Sequence, residues 1–219
     1  NVEVAQTVEV SKNLKIDLAG KTIKGNDVRA FLVKGGKLEL AGEGVVTSVK
    51  PEGGKLGESS SVIRVGDNGG DAGRDASLVI GKDVTVKAPN TYGVSVFGDK
   101  TAESVDVYGK IHATGTASAI SGNGSAQYAG TSIALHAGSE VTATNAAAIY
   151  HPQAGTLTIE GSLVKGLTGI ELKGGEADVK IGGNTKVEAT GEVSHGENNN
   201  GTSSSGYAVA VVENKNYAG

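Results

Sequence analysis

The 219-residue sequence has no cysteine, no methionine and no tryptophan, and only three prolines. Without cysteine there are no disulfides, no thiol nucleophile and no cysteine metal centre. The compartment stays open, since cytosolic proteins and many bacterial surface proteins alike do without cystines. No apolar run approaches the ~20 residues of a spanning helix, and the sequence does not open on a charged-then-apolar leader, so membrane insertion is not expected. Charge of one sign is also scarce: the net charge is -4 with acidic and basic residues interspersed. That leaves no basic footprint, and nucleic acid is not an expected partner.

What the chain does have is glycine, 35 residues of it, punctuating short runs that alternate apolar and polar. The clearest phrase is Gly169-Ile170-Glu171-Leu172, then Ala177-Asp178-Val179-Lys180-Ile181, then Thr185-Lys186-Val187-Glu188-Ala189. Its first part recurs as Ala30-Phe31-Leu32-Val33, Val62-Ile63-Arg64-Val65, Gly93-Val94-Ser95-Val96, Ala119-Ile120-Ser121-Gly122, Ala148-Ile149-Tyr150-His151 and Ala208-Val209-Ala210-Val211. The second and third parts place inward aliphatics at Ile16, Leu18 and Ile23, at Leu38, Leu40 and Val46, and later at Leu157, Ile159 and Leu163. Period 2 marks half-buried strands. A phrase repeated at roughly 20 to 50 residues marks a solenoid, because one copy cannot bury its own apolar row and must stack on the next. Three strands per turn and no helical segment predict an all-β fold, a parallel β-helix of about seven rungs, right-handed by the chirality of parallel crossovers. The repeat runs nearly end to end, so residues 1-219 are expected to form a single β-helix domain, a fragment of a longer protein.

Leu14-Lys15-Ile16-Asp17-Leu18-Ala19-Gly20-Lys21-Thr22-Ile23, with Gly35-Gly36-Lys37-Leu38-Glu39-Leu40-Ala41-Gly42 after it, resembles the recurring phrase of secreted and surface-anchored bacterial proteins with pectate-lyase-like β-helices. Ala19 stands where that phrase often has asparagine. The resemblance implies fold, together with a secreted or cell-surface bacterial location.

Insertions fall at two corners. One set follows the first strand of consecutive rungs: Asp67 to Asp75, Phe97 to Glu103 and Asn123 to Ala129. These should lie side by side. The other set follows the third strand, at Ser48 to Ser60 and at Thr190 to Gly206, the latter with the polar, low-complexity composition of a mobile loop.

These residues bear on three kinds of chemistry. Asp67, Asn68, Asp71 and Asp75 alternate oxygen ligands with glycine, as calcium prefers. Their spacing fits neither an EF-hand nor a nonapeptide repeat, however, and Arg74 sits among them; a solvated bend is the better reading. Glycoside hydrolysis needs two carboxylates roughly 5 to 9.5 Å apart, and Asp17 and Glu39, outward positions of the second strand on adjacent rungs about 4.8 Å apart, are expected to offer such a pair, although a polar outer face produces such pairs easily by chance. The motif set of polygalacturonases is absent. Finally, Tyr128 beside Asn123 and Gln127, near Phe97 and Asp99, is the best local cluster for a binding patch. His151 falls where other rungs place Val or Leu and precedes Pro152, which suits a corner better than a ligand. Neither metal nor cofactor is expected. The sequence points to a non-catalytic, adhesin-like display module taking a glycan or a host surface protein as partner, with a carbohydrate-active enzyme or glycan-binding module as the alternative.

Overall fold

The computed structural model describes residues 1–57, 59–66, 74–97, 102–122, 131–174 and 176–215. The chain winds as a right-handed parallel β-helix of seven three-stranded rungs, with no α-helix among the described residues. Sheet A stacks eight strands, Val2–Val4, Lys21–Asn26, Gly44–Val49, Val84–Ala88, Lys110–Ala113, Glu140–Ala143, Leu163–Gly166 and Lys186–Ala189. Sheet B stacks Val8–Val10, Phe31–Val33, Ser61–Val65, Tyr92–Val96, Ile120–Gly122, Ile149–His151, Ile170–Lys173 and Val209–Val212. Sheet C stacks Leu14–Asp17, Gly36–Ala41, Ala76–Ile80, Glu103–Val107, Thr131–Leu135, Gly155–Glu160 and Ala177–Gly182. The chain visits A, B and C in turn, and at ~4.8 Å per rung the rod is on the order of 30 to 35 Å long.

Alternation decides what faces inward. Ile120 pairs with Ile149 and Ile149 with Ile170, one column of sheet B. Ile23, Val46, Val86, Ile111, Val141, Val164 and Val187 make the matching column of sheet A. Each fully buried aliphatic contributes roughly 1.5 to 3 kcal/mol against the entropy of ordering the chain. Two expectations of register need correction. Val164, not Leu163, points into the core: Val164 is buried while Leu163 lies outward between Glu140 and Lys186. Likewise Glu39 is the rung neighbour of Lys15, whereas Asp17 stands beside Ala41. Strict alternation from Leu157 falls one residue short of Val164 across the tight bend at Gly161, where φ is +61°.

The Thr190 to Gly206 insertion also differs from the irregular loop its composition suggests. Ser194–Asn198 and Gly201–Ser205 pair as an antiparallel hairpin around Asn199 and Asn200. Backbone pairing carries it, helped by Ser194 and Ser205 hydroxyls 2.8 Å apart and by the Thr168 hydroxyl donating to the Ser204 carbonyl at 2.9 Å. This hairpin lies over the outer face of the last rungs of sheet B, which matters for the site.

Candidate functional site

The outward residues of sheet B form one file along the rod, Arg64, Ser95, Ser121, Tyr150 and Glu171, each paired in register with the next. Strand alternation puts them there: every one lies between two inward aliphatic or corner positions. A groove of about 400 Å³ runs over Ser95, Ser121, Tyr150 and Glu171 of this file. Tyr92, Thr116 and Ala147 from the A-to-B corner form one bank, Phe97 and Gly122 from the B-to-C corner the other, and Asn198 and Asn200 of the hairpin close one end.

Its polar groups are mostly held in place. The Arg64 guanidinium lies 3.8 Å over the Phe97 ring and its Nε donates to the Gly66 carbonyl at 3.2 Å, a cation–π contact that holds the ring of that bank in place. Ser95 Oγ sits 2.6 Å from Ser61 Oγ, and Arg29 Nε donates to Ser61 Oγ at 3.4 Å. At the closed end Lys173, 1% exposed, donates from Nζ to Asn198 Oδ1 at 3.3 Å and lies 6.0 Å from the centre of the Tyr150 ring. The Glu171 carboxylate, on a residue 7% exposed, is 4.0 Å from the same ammonium. Burial pushes the Glu171 carboxyl above its usual range, with the Lys173 charge and the Ser204 N–H acting the other way. Burial pushes the Lys173 ammonium below its usual value, opposed by Glu171. Each charge disfavours itself through desolvation and favours the other through Coulomb attraction. Shifted titratable groups in a cleft are a recognised mark of a functional site.

Beneath the groove the interior carries an unusual polar patch. His151 and Gln153 are fully buried, and neither ring nitrogen of the first nor either amide atom of the second makes a hydrogen bond; the Thr131 hydroxyl, 1% exposed, makes none either. Burial holds the His151 pKa below 6.5, and the nearby carbonyls of His151 and Gln153 offset this by less, without bonding geometry. On sheet C, Asp106 Oδ1 and His136 Nε2 are 2.8 Å apart and the imidazole stacks on Tyr108, centroids 3.9 Å apart and planes 4° from parallel. That arrangement is open to solvent and outside the groove.

Of the residues that the sequence put forward, Phe97 lines the groove. Asp75 instead serves its own corner, its carboxylate accepting the Ala102 N–H at 3.0 Å. Asp67, Asn68, Asp71, Asp99, Asn123, Gln127 and Tyr128 lie outside the described residues. Strands preceding the three B-to-C insertions do stack on consecutive rungs. The Asp17 and Glu39 pairing is not formed; Glu39 is bridged by Lys15 at 2.6 Å and Lys37 at 3.4 Å, and those lysines hold its carboxyl below the usual range. Among the described residues no three His, Asp or Glu side chains converge on one point. Sequence reasoning missed Ser95, Ser121, Tyr150, Glu171 and Lys173. The signal was the free position of the first strand, read down the aligned rungs rather than along the chain.

No known protein family, curated protein sequence or solved structure matches this chain.

Proposed function

We propose that the chain is a non-catalytic binding and display module of a bacterial extracellular protein, and that the sheet B groove is where it takes a glycan. The observation that carries this reading is the lining of the groove. Half-buried Tyr92, Tyr150 and Phe97 alternate with hydroxyls and amides from Thr116, Asn198 and Asn200, and such a mix of ring faces with a few fixed polar groups is what a saccharide needs. The resemblance of residues 14–42 to pectate-lyase-like surface proteins supports the extracellular location. A stiff rod held by stacked aliphatics suits a stalk that presents a face at a distance.

An enzymatic reading draws on the shifted pKa values, since a raised carboxyl is what a general acid needs and a lowered ammonium what a proton-abstracting base needs. Two features favour binding instead. Glu171 is the one carboxylate among the described residues lining the groove, whereas glycoside hydrolysis takes a pair. Lys173 is also tied to the hairpin by Asn198. A glycan array combined with a reducing-sugar and unsaturated-product assay on the retained glycans separates the two: retention without cleavage is the expected result, and cleavage overturns the non-catalytic reading.

A further inference from the structure

The closed end of the groove narrows the choice of ligand. Glu171 and Lys173 sit 4.0 Å apart, beyond the ~2.7 to 3.2 Å of a direct hydrogen bond, so neither completes the other. The ammonium has three donors and gives one to Asn198. The carboxylate lies near the Ser204 N–H and retains lone pairs for a further donor. Both groups line the cavity, next to Tyr150 and the amide of Asn200.

We propose that this end is a subsite for one neutral sugar residue, gripped through a vicinal diol that bridges the Glu171 carboxylate and the Lys173 ammonium while the sugar's C–H surface lies against the Tyr150 ring. The inference rests on the glycan-binding reading of the groove. A hydroxyl both donates and accepts: one hydroxyl donates to Glu171 and accepts from Lys173, and its neighbour reaches Asn198 or Asn200. The paired charges sum to zero, so the site offers no net attraction to a charged ligand. A uronic acid carboxylate drawn to Lys173 would also lie beside Glu171, and an amino-sugar ammonium drawn to Glu171 would also lie beside Lys173, because the two groups are 4.0 Å apart; each like-charge contact in a desolvated pocket offsets the attraction.

The test is calorimetric titration of the intact chain with four disaccharide probes: mannobiose, galactobiose, digalacturonate and di-glucosamine. Alongside runs an analogue of the best neutral probe in which one hydroxyl of the terminal diol is replaced by hydrogen. The expected result is binding of a neutral probe, at least about tenfold weaker for the deoxy analogue and for Glu171→Gln, because a charge-assisted hydrogen bond is lost. Asn198→Ala, at the hairpin tip, should weaken the same probe, and a cooperative melt retained by both variants guards against a folding effect. Tighter binding of digalacturonate or di-glucosamine, or unchanged affinity in both variants, overturns the diol subsite and leaves the glycan reading standing. Silence toward every saccharide, on this panel and on the array, overturns both.

Discussion

Gln153 fills the space that Gly122 leaves empty. A Cβ placed on Gly122 would collide with the Gln153 carboxamide, and the carboxamide is fully buried with no hydrogen-bond partner. The glycine is thus there for a packing reason, and its neighbour is a polar group confined to an apolar interior.

Gly122→Ala is therefore expected to destabilise the chain by about 1 to 3 kcal/mol, the usual cost of overpacking. In a Gln153→Ala background most of that cost should vanish, because the methyl then enters vacated space. A double-mutant cycle by denaturant unfolding reads the coupling; additive costs would contradict the contact.

Val164 and Leu163 test the register of sheet A. Val164 is fully buried and Leu163 is outward, so Val164→Ala should cost about 2 kcal/mol from lost transfer energy and cavity, while Leu163→Ala should cost less than about 1 kcal/mol. Thermal melts of the two variants give the ranking, and the reverse order would mean that the strand is shifted by one residue.

His151 makes stability depend on pH. Its folded-state pKa is held below 6.5 by burial, so the unfolded chain binds more protons as pH falls through that value, and stability drops on acidification. The contribution is intact above pH 6.5 and lost progressively below it. His151→Leu, which copies Leu172 of the next rung, should remove that slope and also recover about 1 to 3 kcal/mol of unsatisfied polar burial. Melting curves from pH 7.5 to 5 check both parts.

Ala19 holds φ at +48° beside Gly20 at +73°, and the Lys21 N–H closes the turn on the Leu18 carbonyl at 2.8 Å. Two successive positive φ values are the requirement of a type I′ turn, whose favoured pair is Asn-Gly. Ala19→Asn should raise stability by about 0.5 to 1 kcal/mol, seen as a higher melting temperature; a lower one would contradict the turn assignment.

Most of the fold was legible because a period of two, repeated rung after rung, leaves little freedom: the columns through Ile120, Ile149 and Ile170 follow from it directly. Register failed at Leu163, where the bend at Gly161 shifts the count, and at Asp17, where Leu14-Lys15-Ile16 and Ile16-Asp17-Leu18 show the same alternation and only the pairing selects the first. The 194–205 hairpin was hidden because its Ser, Asn and Gly residues have low strand propensity, and main-chain pairing overrides that. The groove was hardest to see. Its residues are some 20 to 30 positions apart in sequence and only become neighbours once the rungs are stacked; Glu171 and Lys173 read as ordinary surface charges until the hairpin covers them.

The central claim is that the outer face of sheet B is the binding face, and Ser121→Trp tests it most directly, since it places an indole on the floor of the groove between Ser95 and Tyr150. Glycans retained by the unaltered chain on an array should be lost by this variant, with its cooperative melt preserved. Undiminished retention by a folded Ser121→Trp chain would contradict the account.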